Sequence, residues 1–100
     1  MKIILLLLLS AGSIAHAAYS QDFKCIPTGG SSSSKQWSLT IFDPSLPSFN
    51  LTSPEGQTSQ GSMGTEGLMD YDSQCKSKGY AYLFKTYAYP FKGSLCCIEK

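Results

Sequence analysis

From Phe23 to Glu99 the apolar positions recur mainly with a period of two, the spacing of strands that cover one face. Trp37-Ser38-Leu39-Thr40-Ile41-Phe42 alternates apolar and hydroxyl side chains, which predicts a half-buried strand with Trp37, Leu39 and Ile41 inward. Phe49-Asn50-Leu51-Thr52 predicts another, with Phe49 and Leu51 on one face and Asn50 outward. Phe23 to Ile26 predicts a short strand that Pro27 ends, and Ser94 to Glu99 supplies the last. The Gly29-Gly30 and Ser31 to Ser34 stretch is a low-complexity loop, and Pro54 to Gly67 reads as a long surface loop with Met63 its only large apolar side chain.

The period changes at Thr65. Thr65 can cap a helix in which Glu66, Asp70 and Asp72 come early, Leu68, Tyr71 and Cys75 share a face, and Lys76 and Lys78 come late before Gly79. Tyr80 to Phe91 then holds six aromatics in twelve residues. Tyr80, Tyr82 and Phe84 share one parity and Tyr87, Tyr89 and Phe91 the other, so a bulge or tight reversal is expected at Lys85-Thr86. The outline is β-β-β-α-β-β: an α+β domain with a small antiparallel sheet, one short helix and two disulfides.

Met1-Lys2, the apolar run Ile3 to Leu9 and the exit Ala15-His16-Ala17 have the pattern of a secretory signal peptide spanning residues 1–17. The run is far shorter than the roughly 20 apolar residues of a membrane span. The expected product is residues 18–100, a single small domain that is secreted, extracellular, monomeric and not inserted in a membrane.

Removing that segment changes the composition. The only His goes with it, the chain has no Arg, and seven Lys balance seven acids in what remains. Residues 18–72 carry a formal charge of −4 and residues 73–100 carry +4. A neutral chain has no field to hold phosphate backbones, so nucleic acid is not an expected partner. The asymmetry is either two solvated faces or a basic C-terminal quarter that meets an acidic partner.

The remaining chain contains no Val and only three Ile and six Leu, while all twelve aromatics are kept. A core so short of aliphatic residues must rest on Phe, Tyr and Trp, and on disulfides between Cys25, Cys75, Cys96 and Cys97. Adjacent residues of a strand point to opposite faces, so Cys96 and Cys97 are placed to tie two elements to one strand. One should take Cys25 and the other Cys75; which takes which stays open.

Without His, no Ser-His-Asp site or His-dependent nuclease can be built, and the thiols lack a C-x-x-C motif or an activator. Asp70-x-Asp72-x-Gln74 begins like a calcium loop, but Cys75 and Ala81 stand where the turn Gly and the bidentate Glu belong. No metal, cofactor or catalytic residue is expected. Asn50-Leu51-Thr52 is an N-glycosylation sequon. The aromatic segment packs the core or forms a tyrosine platform; in the second case Tyr87, Tyr89, Lys85 and Lys92 are the expected contacts.

Phe23-Lys24-Cys25 soon after the cleavage site, a chain of about a hundred residues, and Cys96 or Cys97 near its end resemble the small secreted effectors of plant-pathogenic fungi, powdery-mildew type. The resemblance implies a bridge from Cys25 to the C-terminal strand and a ribonuclease-like fold without catalytic residues. The segment between Cys25 and Trp37 departs from it in having no clear helix. The functional expectation is a non-enzymatic interaction protein, a virulence effector that recognises a host protein or glycan, with later passage into a host cell open to it. The alternatives are a lectin-like carbohydrate-binding domain using exposed Tyr and Trp37, and an antimicrobial or toxin-like protein, which zero net charge disfavours.

Overall fold

Alternating side chains along seven stretches build one antiparallel sheet. The computed structural model describes residues 19–31, 33–43 and 47–100; the segment 1–17 read as an export signal lies outside them. The strands are β1 (Tyr19–Pro27), β2 (Trp37–Asp43), β3 (Ser48–Thr52), β4 (Thr58–Ser62), β5 (Gly67–Tyr71), β6 (Tyr82–Thr86) and β7 (Gly93–Glu99), with helix α1 (Ser73–Ser77) between β5 and β6. Their order across the sheet is β4-β3-β2-β1-β7-β6-β5.

This overturns the α+β reading. The described residues are mostly β, a curled half-barrel of seven strands with one helix of five residues among them. Two misread segments account for the difference. Thr58–Ser62, read as loop, pairs with β3 from Ser48↔Ser62 to Thr52↔Thr58. Its inward residues are Ser59 and Gly61, so the strand carries no apolar alternation to detect. Gly67–Tyr71, read as the first turns of a helix, instead pairs with β6 from Gly67↔Thr86 to Tyr71↔Tyr82. Gly67 is a poor helix former, and a strand leaves it facing the core. Helix α1 starts only at Asp72, whose carboxylate accepts the Cys75 N–H at 3.0 Å. It stops before Gly79, which takes a positive φ of 88°.

The concave face buries Phe23, Leu39, Phe49, Leu51, Phe84 and Leu95, with Phe49 and Phe84 meeting edge to face at 5.1 Å. Leu39, Phe49 and Leu51 are inward as the alternation predicts, while Trp37 and Ile41 pack on the core's margin. Phe49 of β3 also reaches β5 on the far side of the sheet. A Cβ on Gly67 would lie 2.7 Å from Phe49 Cε2, and one on Gly61 would lie 2.9 Å from the same atom. The absence of side chains at these two positions lets the sheet curl shut around one ring.

The C-terminal strand carries both bridges, one on each face. Cys25–Cys97 joins directly opposed residues of β1 and β7 in the concave core. Cys75–Cys96 ties α1 to the convex face, where Ile26 and Tyr80 complete a second cluster. This is the arrangement that the adjacent cysteines imply, and it gives Cys25 to Cys97.

Candidate functional site

The six aromatics of residues 80–91 divide between core and surface. Tyr80 and Phe84 are buried, Tyr82 and Phe91 are half-buried, and Tyr87 and Tyr89 are 53% and 85% exposed. The break in parity marks the end of β6 at Thr86, after which the chain turns back toward β7.

That turn is held from below. Ala88 inserts between the two exposed tyrosines and is buried in the core. The Ser59 hydroxyl lies 3.3 Å from the Ala88 carbonyl and 3.0 Å from that of Tyr89, and it donates to them. The Thr86 hydroxyl accepts the Ala88 N–H and donates to the Phe91 carbonyl, both at 3.3 Å. The Tyr87 N–H donates to the Glu66 carbonyl at 2.8 Å. Ser59 and Thr86 are each only 3% exposed, so buried hydroxyls are committed to fixing a turn whose rings stay in water.

The four expected contacts do not form one cluster. Lys85 is exposed on β6, opposite the exposed Leu68 of β5 and two residues before Tyr87. Lys92 lies past the turn, at the rim of a cavity of about 150 Å³ lined by Trp37, Leu51 and Phe91. Trp37 meets Phe91 edge to face at 4.9 Å, so it props this end of the sheet and is no free platform. The C-terminal lysines are dispersed as well: Lys78 Nζ donates to the carbonyls of Thr28 and Gly30. Lys100 Nζ lies 3.5 Å from the Ser38 hydroxyl. The +4 quarter therefore does not fold into one basic patch.

Asn50 stands on the convex face between Thr40 of β2 and Gln60 of β4. An outward position there leaves room for a glycan without disturbing Phe49 or Leu51. Made through a eukaryotic secretory pathway, the chain is expected to shift in mobility on enzymatic deglycosylation. Asn50→Gln should abolish the shift with an unchanged thermal midpoint; a wild-type chain that does not shift would remove the site.

A second group was not legible in the sequence. At the other end of β6, Tyr71 and Tyr82 are cross-strand partners whose rings lie 4.9 Å apart with a tilt of 31°. Tyr82 rests edge-on against Phe23 at 5.8 Å. With Gln21, Asp70 and Glu99 they border an open cleft of about 400 Å³. The Tyr82 hydroxyl holds its proton more firmly than a free tyrosine, first through its hydrogen bond with Tyr71, then through desolvation and the charges of Tyr71 and Glu99. Only the β5–β6 register brings these residues together, and a helix at 65–79 hides that register.

Among the described residues, no group of three or more His, Cys, Asp or Glu could hold a metal ion, and no helix is long and apolar enough to cross a membrane. The chain matches no protein-family model, no curated protein and no solved structure.

Proposed function

We propose that the chain is an exported, non-enzymatic recognition protein, an effector of the fungal class it resembles, which binds a host protein through the Tyr87–Tyr89 turn. One observation carries the reading: two highly exposed tyrosines flank a buried alanine on a turn fixed by buried hydroxyls. Exposed rings on an ordered support lose little conformational entropy on binding, and tyrosines are enriched among residues that dominate interfaces. The two disulfides suit an oxidising compartment.

The test is competition for saturable binding sites on host cells by unlabelled mature protein. Tyr87→Ala/Tyr89→Ala should compete about tenfold less well or worse, with its thermal midpoint unchanged because both rings lie outside the core. Equal competition by the double variant would sink the proposal. Glycan-array binding that disappears in the same variant would replace the host protein with a carbohydrate and make the domain lectin-like.

A further inference from the structure

The cleft at the opposite end of β6 has a chemistry of its own. It is open, holds about 400 Å³ and is bordered by Phe23, Tyr71, Tyr82, Gln21, Asp70 and Glu99, a size within the range of small-molecule sites. Tyr71 is 77% exposed although its ring lies against Tyr82, so it forms an aromatic wall that the fold leaves uncovered. The Glu99 carboxylate stands at this wall and no lysine is among the residues that line it, while Asp70, paired with Leu83, borders the cleft with its side chain on the opposite face of the sheet. Of the neighbouring lysines in sequence, Lys24 is paired in register with Ile98 on the convex face, and Lys100 extends to Ser38.

A carboxylate such as that of Glu99 accepts hydrogen bonds and cannot donate. The one amide, Gln21, gives one N–H to Glu99 at 2.5 Å. A cation needs only acceptors, negative charge and an aromatic wall within about 6 Å.

We propose that this cleft binds an organic cation, an alkylammonium or guanidinium group, with Tyr71 and Tyr82 as its aromatic wall and Glu99 as its counter-charge. The site is separate from the Tyr87–Tyr89 turn, and neither proposal depends on the other.

Choline and N-acetylarginine amide are the probes, since the same group can come from a small molecule or from a peptide side chain. Each is titrated at millimolar concentration into the isotope-labelled mature protein and followed by amide chemical shifts. Saturable shifts confined to residues 21–23, 69–71, 82 and 99 are expected with at least one probe, and they should weaken as salt is raised. The better probe identifies the source. Tyr71→Ala and Glu99→Gln should each weaken binding about tenfold, while Tyr71→Phe, which keeps the ring, should bind like wild type. Both positions are exposed, so an unchanged amide spectrum elsewhere shows that these variants fold. No saturable shift with either probe would overturn the proposal. So would equal shifts with a neutral methyl glycoside, or binding that Tyr71→Phe abolishes.

Discussion

The double variant Cys25→Ala/Cys97→Ala is expected to lose about 4 kcal/mol of unfolding free energy, and Cys75→Ala/Cys96→Ala about 3 kcal/mol, on the chain-entropy account of cross-links. The difference follows from sequence separation, 72 residues for the first bridge and 21 for the second. Small domains have about 5–15 kcal/mol in total, so the first variant should lose a large share of its stability. Urea denaturation of the mature chain and both variants, read by tyrosine and tryptophan fluorescence, checks the values and their order. If losing Cys75–Cys96 costs more, the native packing of α1 on the convex face outweighs the constraint on the unfolded chain.

Parts of this molecule that place a large apolar residue inward were legible in the sequence. β2 and β3 carry Leu39, Phe49 and Leu51 at alternate positions, and those residues are buried on the concave face. The adjacent cysteines were equally informative, because a strand must send Cys96 and Cys97 to opposite faces. β4 and β5 were not legible for one shared reason. Their inward positions include Ser59, which bonds the Ala88 and Tyr89 carbonyls, and Gly61 and Gly67, small because Phe49 fills the space above them. A strand whose covered face is made by another strand's ring shows no hydrophobic period. Glu66 and Asp70 then fit the start of a helix that the backbone begins only at Asp72.

The candidate sites follow the same division. The exposed Tyr87 and Tyr89 lie on a turn that the shift in aromatic parity marks. What the sequence could not contain is the support, because Ser59 and Glu66 reach the turn across the sheet from segments read as loop and helix. The cleft was hidden altogether, since Tyr71 and Tyr82 become neighbours only when β5 pairs with β6.

Phe49→Ala is expected to cost about 3–5 kcal/mol, the range for emptying a buried aromatic site, because Phe49 is fully buried and touches both halves of the curled sheet. Gly67→Ala alone should cost about 1–3 kcal/mol as an overpacked site, its Cβ meeting Phe49 Cε2 at 2.7 Å and Cδ2 at 2.9 Å. The two losses should not add. With the ring gone, the two closest clashes of the new methyl vanish and Phe84 Cε1 at 3.1 Å remains, so most of its cost disappears. The double variant should therefore be more stable than the sum of the single losses predicts, by about 1 kcal/mol or more, as for residues in direct contact. Denaturation midpoints of the four proteins give this coupling. Additive losses would show that β3 and β5 do not close on each other in solution. Glu66, next to Gly67, accepts the Tyr87 N–H at 2.8 Å, so the strain in Gly67→Ala should also reach the tyrosine turn. Amide shifts at Tyr87 and Ala88 should appear in Gly67→Ala and diminish when Phe49→Ala is added.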